Sequence, residues 1–195
     1  MNFEFSEAVN PHLKRGHFAE AVRIAESSLS ALPASPFHTI IGRPLLNQAD
    51  RLCSWIDEFY TAVGGNHPIA ALYFELTEFD INTDVWCIDG FAYTQDEGLD
   101  DLEWLSEPSA GHTADLPFIV TGYEALQQAF EEVESDSDEL QDAQDWSEQL
   151  VIIRYMELIH AAHKLAQQKE LAWSRLPLYC TEHGYDFVTM STNNQ

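Results

Sequence analysis

Positive charge is what this sequence most lacks. Lys and Arg number nine in 195 residues against 33 Asp and Glu, for a formal net charge of −24. The nine are Lys14, Arg15, Arg23, Arg43, Arg51, Arg154, Lys164, Lys169 and Arg175, so the 102 residues between Arg51 and Arg154 contain none. That segment carries 24 acids, while the remaining 93 residues hold nine acids and nine bases. The whole net charge therefore belongs to the middle of the chain. Shuffling produces so long a gap about once in eighty trials, which makes it a usable pattern. A salt-adapted protein would spread its acids over every exposed face, and the neutral ends argue against that. Nucleic acid and anionic membrane surfaces both call for Lys and Arg, so neither suits this chain. The partners its charge favours are basic proteins or cations.

Other absences narrow the field further. Cys53, Cys87 and Cys180 are few, odd in number and far apart, which reads as reduced thiols in a cytoplasmic protein and not as a disulfide framework. No run of eighteen apolar residues exists to cross a membrane, and the N-terminal charges stand in the wrong order for a signal peptide. The phosphate-binding patterns G-x-x-x-x-G-K-[ST] and G-x-G-x-x-G and the nucleophile elbow G-x-S-x-G are missing, so no cofactor is implied. What remains is 45% hydrophobic and 12% aromatic, a globular composition that fits one domain over residues 1–195.

Periodicity places the elements. Phe18, Val22, Ala25, Leu29 and Leu32 recur at helical spacing and stop at Pro33. The phrase from Gly16 to Ala21 resembles half of a tetratricopeptide unit, but no second copy follows, which leaves an ordinary amphipathic helix. A second helix is expected from Pro44 to Gly64-Gly65. Residues 69–94 turn aromatic and β-branched and read as a β-hairpin about 81–84, its second strand apolar on both faces and so interior. Pro117–Val120 suggests a third strand, and Thr121-x-x-Glu124 a capped helix. Asp145-x-x-Glu148 looks like the cap of a long core helix reaching about Gln168, and the chain closes on a hairpin at His183-Gly184. The class is α+β: N-terminal helices, a central antiparallel hairpin or sheet, a long core helix and a terminal hairpin. Residues 135–144 are expected to be a mobile acidic connection, and 191–195 a disordered tail.

The densest acidic stretch, EEVESDSDELQDAQDWSE at 131–148, invites a calcium reading that its register refuses. A loop starting at Asp136 puts Leu140 at a ligand position, Gln141 where glycine is needed and Ser147 where a bidentate glutamate is needed. Glu157-x-x-His160, with His163 one turn on, has the spacing of a metal pair on a helix, but no second E-x-x-H exists. Glu157 and His160 are expected on a solvated arc with Arg154 and Lys164. Cys180, Glu182 and His183 do not align as nucleophile and base in a strand, and Cys87 and Cys180 read as buried structural thiols. The carboxylates Glu75, Glu78, Asp80, Asp84 and Asp89 could serve acid–base chemistry or hold a cation, though no lysine lies near enough in sequence for a nuclease set.

Aromatic anchors inside a one-signed surface are what a protein–protein contact needs, since aromatics supply affinity and charge supplies steering. Trp104 and Trp146 both have acidic neighbours on either side and are expected to be partly exposed. With Asp100, Asp101, Glu103, Asp136, Asp138 and Asp142 they form the candidate partner-binding set. The favoured reading is a non-enzymatic protein that binds a basic protein. Short, acidic, Trp-containing α+β composition resembles in general look that of bacterial toxin-immunity proteins, which implies inhibition of a basic toxin or nucleic-acid-binding protein. The alternatives are a metal-binding protein or hydrolase using the hairpin carboxylates or Glu157 and His160, and a housekeeping protein whose charge confers solubility alone.

Overall fold

The structure, a computed structural model, describes residues 3–65, 67–77, 85–113, 116–134, 136–185 and 187–193. Two helices open the chain, α1 (Phe3–Leu13), which has no counterpart in the sequence reading, and α2 (Phe18–Ala31). A Schellman turn joins them: His17 N–H bonds the carbonyl of His12, and Gly16 N–H that of Leu13. Gly16 takes φ +70°, a left-handed conformation that strains any residue with a Cβ, which accounts for glycine here. α2 follows its expected period, burying Phe18, Ala21, Val22, Ala25 and Leu29, and ends as Leu32 turns extended before Pro33. α3 (Ala49–Gly64) starts five residues later than Pro44 suggests, because Leu46–Gln48 form a 3-10 turn first.

The sheet holds six strands: β1 (Ala71–Thr77), β2 (Cys87–Tyr93), β3 (Gly111–His112), β4 (Phe118–Ile119), β5 (Leu178–Glu182) and β6 (Thr189–Ser191). β1 and β2 form the expected antiparallel hairpin, Ala71 opposite Tyr93 through Thr77 opposite Cys87. Its turn at 81–84, with Glu78, Asp80 and Asp84, lies outside the described residues. β3 and β4 both pair with the far edge of β2, so β2 is interior, as its apolar faces require. β5 and β6 pair antiparallel about His183-Gly184. One pairing has no local signal: β5 lies parallel to β1, Leu72–Leu76 against Leu178–Glu182, which makes the sheet mixed with order β3-β2-β1-β5-β6.

Two helices complete the fold, α4 (Glu124–Glu132) and α5 (Asp138–Gln168). The capping box at Thr121 is not formed. The Thr121 hydroxyl bonds Gln48 Oε1 at 3.0 Å instead, and the Glu124 carboxylate accepts from Gly122 N–H at 2.7 Å. α5 begins seven residues ahead of Asp145. Ser137 is its N-cap, accepting from Leu140 N–H at 3.3 Å, and Asp138 and Glu139 sit in the first turn where carboxylates complement the helix dipole. Residues 138–144 are thus the first two turns of a helix, where a mobile connection was expected. Ser191, assigned to the tail by its sequence, closes β6 and is buried.

Helices α1 to α5 gather on one face of the sheet, and a 3-10 turn at Glu103–Ser106 lies on the other. Along α5 every residue from Gln149 to Met156 is buried, since α2, α3 and the sheet enclose it from several sides. The core gathers Leu72, Phe74 and Leu76 of β1, Trp86 and Ile88, Leu178 and Cys180 of β5, and the inner stripes of the helices. A large aliphatic side chain buried this way contributes about 1.5–3 kcal/mol. Strand alternation sends Tyr73, Glu75 and Thr77 of β1 to the opposite, outer face, away from α1 to α5.

Candidate interaction face

The outer face is built in rows set by the strand register. His112, Phe91, Tyr73, Tyr179 and Met190 stand abreast across five strands, and beside them runs a row of Asp89, Glu75 and Thr181. Tyr73 and Phe91 stack with centroids 5.6 Å apart. At one end the segment 96–107 folds down over the sheet. Trp104 meets Tyr93 at 4.8 Å and Tyr179 at 5.3 Å, both edge-on, and its indole N–H donates to Gly98 O at 3.0 Å. Two phenols pin the same segment: Tyr93 donates to Leu105 O at 2.5 Å and Tyr179 to Asp96 Oδ1 at 2.6 Å. Burial raises both phenol pKa values well above the ordinary value, with the Asp96 carboxylate adding to the effect at Tyr179, so both hydroxyls keep the protons they donate.

This fastening leaves Trp104, Phe91, Leu102, Val188 and Met190 half-buried, an apolar patch open to solvent on one side. Its rim is acidic. Asp96, Glu97, Asp100, Asp101, Glu103 and Glu107 are all exposed. Asp96 and Asp101 also order the loop by accepting from Gly98 N–H and Glu103 N–H, at 3.2 and 2.9 Å.

At the other end Glu75 and Asp89 face each other across β1 and β2. Like charges placed opposite repel, and hydroxyl and imidazole donors offset this here. Asp89 accepts from Thr77 at 3.0 Å and Thr113 at 3.3 Å, and Glu75 accepts from Tyr73 at 3.3 Å and lies 3.1 Å from His183 Nδ1. These are neutral or titratable donors, none of them Lys or Arg. The Lys and Arg ion pairs, in contrast, draw on acids outside the 52–153 segment: Arg23 on Glu20, Arg154 on Glu26 and Glu157, Lys169 on Asp50. Arg51, at the border, donates to backbone Ile119 O and lies over the Phe118 ring at 4.0 Å.

The structure divides the sequence-derived set in two. Asp100, Asp101, Glu103 and Trp104 belong to the outer-face rim. Asp136, Asp138, Asp142 and Trp146 belong to the start of α5, on the helix side of the sheet. Trp146 is buried and stacks on Phe5 at 4.5 Å, which corrects the expectation of exposure. Helical periodicity puts Ala143 and Leu150 on its side and turns the ring into the core. The residues missed at the outer face are Tyr73, Phe91, Tyr179 and Met190, whose alternation was visible but whose alignment depends on the parallel β1–β5 pairing.

The metal candidates do not converge. Arg154, Glu157 and His160 lie under α2, where a solvated arc was expected: Arg154 is buried and bonds Glu26 at 3.0 Å and Glu157 at 3.3 Å. His163 is fully buried. Its Nε2 lies 3.0 Å from Ser174 O, a pure acceptor, so Nε2 carries the proton and Nδ1 accepts from Ser191 Oγ at 2.9 Å. With both nitrogens engaged it has no lone pair for a metal, and burial lowers its pKa. Among the described residues no three His, Cys, Asp or Glu side chains group as a metal-binding set. Cys53, Cys87 and Cys180 are buried and form no disulfide, and burial pushes the Cys180 thiol up to about 12. No described helix is long and apolar enough to cross a membrane.

No family model, curated protein or solved structure matches the chain.

Proposed function

We propose that this chain is a cytoplasmic, non-enzymatic protein that binds a basic protein through the outer face of its sheet. The contact centres on Trp104, Phe91 and Met190, with Asp96, Asp100, Asp101, Glu103 and the Glu75–Asp89 pair around it. One observation carries the reading: the rim acids surround a half-buried aromatic patch, while the Lys and Arg ion pairs fall on acids elsewhere in the chain. Uncompensated acids around an apolar centre give steering and affinity in one surface. Of the sequence-derived acids this favours the 100–104 group over the 136–142 group, whose tryptophan is occupied by the core.

The test is to capture proteins from the host lysate on the immobilised chain, then titrate the captured protein, purified, against wild type and an Asp100→Asn/Asp101→Asn/Glu103→Gln variant. A basic protein is expected, bound at low salt, weakened steeply as salt rises, and weakened further by the variant. A partner bound equally by both chains overturns the reading.

A rival has one observation in its favour, the placement of Glu75 opposite Asp89. If they serve hydrolysis or hold a cation, protein purified without chelator carries stoichiometric metal that Asp89→Asn removes. That result would replace the binding reading.

A further inference from the structure

On the helix side of the sheet, where the α1–α2 turn meets α5, lies a cavity of about 340 Å³. Two of the chain's nine basic residues, Arg15 and Lys164, line it. Both are exposed, and neither side chain makes an ion pair or hydrogen bond among the described residues. Six of the nine Lys and Arg side chains make no ion pair among the described residues, and two of those six stand over this one concavity. Glu157 also lines the cavity, but Arg154 engages its carboxylate at 3.3 Å. The local balance is therefore positive.

Phe18 and His160 meet in the cavity lining. His160 lies edge-on against Phe18, centroids 4.7 Å apart. Its Nε2 is buried with no hydrogen-bond partner. Burial, with the nearby His163, holds the ring at a pKa of about 4, so at neutral pH it is a neutral imidazole.

The geometry points to a binding site for a small organic anion, an aromatic or similarly flat apolar body bearing a carboxylate or phosphate. Arg15 and Lys164 hold the anionic group, and Phe18 and the His160 ring wall the body. The volume suits such a molecule, at the small end of ligand pockets. The site is independent of the outer sheet face, and so of the protein-binding reading.

Phenyl phosphate, benzoate, inorganic phosphate and neutral benzamide serve as probes, followed by calorimetry and by backbone amide NMR shifts. Phenyl phosphate or benzoate is expected to bind with Kd on the order of 1 mM or tighter, shifting the amides of Gly16, Ala161 and Thr192. The stronger of the two identifies the anionic group. Arg15→Gln and Lys164→Gln alter exposed side chains and leave the fold intact, and each weakens binding by about fivefold. Absence of binding by both aromatic anions overturns the site. So does binding that either variant leaves unchanged, that benzamide matches, or that inorganic phosphate equals, since the last two would mean that charge or apolar wall is unused.

Discussion

Replacing His160 by glutamine tests whether the arc of α5 facing α2 is as dry as the structure has it. Burial moves this imidazole from an ordinary 6.5 to about 4. The folded chain thus holds it neutral, while the unfolded chain takes up a proton below 6.5. The unfolded state then binds more protons, so stability falls as pH drops from 6.5 towards 4. At about pH 5.5, clear of the isoelectric point near 4.3, the two pKa values imply a loss of about 1.4 kcal/mol relative to neutral pH. Glutamine does not titrate, so the variant should lose about that much less between pH 7.5 and 5.5, whatever its absolute stability. Urea unfolding of both proteins at the two pH values reads the difference directly. Equal pH dependence in wild type and variant would refute the burial of His160 under α2.

Three further outcomes follow from local geometry. Glu170 is the only non-glycine residue with positive φ among those described, at 55°, in the turn that ends α5, where Leu171 N–H reaches Ala166 O. Glu170→Gly relieves that strain and should stabilise by about 0.5–1 kcal/mol in urea unfolding; destabilisation would contradict the left-handed assignment. Ser137→Ala removes the cap of α5 and should cost about 1 kcal/mol, whereas no change would return the helix start to Asp145. Trp146→Ala, in the core against Phe5, should cost about 3–5 kcal/mol in the same assay, and a cost under about 1 kcal/mol would mean an exposed ring.

Much of the fold was legible because its signals are local. The stripe of α2, the alternation of β1, the two-faced apolarity of β2 and the wide apolar arc of α5 each follow from spacing within one element. The rest depends on residues far apart in sequence. Nothing near Leu178 announces that β5 runs parallel to Leu72–Leu76, more than a hundred positions earlier, yet that pairing aligns Tyr73 with Tyr179 and creates the aromatic row. Arg154 and His160 read as solvated because their polar character suits water equally well; Glu26 and Phe18 of α2 supply the partners instead. At Trp146 the acidic sequence context misled, since Asp145 turns inward to accept from Gln141 at 2.8 Å. At Trp104 it did not, because the short 3-10 turn Glu103–Ser106 is pinned over the sheet through Tyr93 and leaves its acidic neighbours exposed.

The central claim is that the acidic rim of the outer sheet face recruits a basic protein. The most direct measurement is the affinity of the captured partner for wild type and for the Asp100→Asn/Asp101→Asn/Glu103→Gln variant across a salt series. Wild type should bind more tightly at low salt, with the two curves converging as salt screens the rim. Equal affinities at every salt concentration, or a partner that is itself acidic, would contradict the claim.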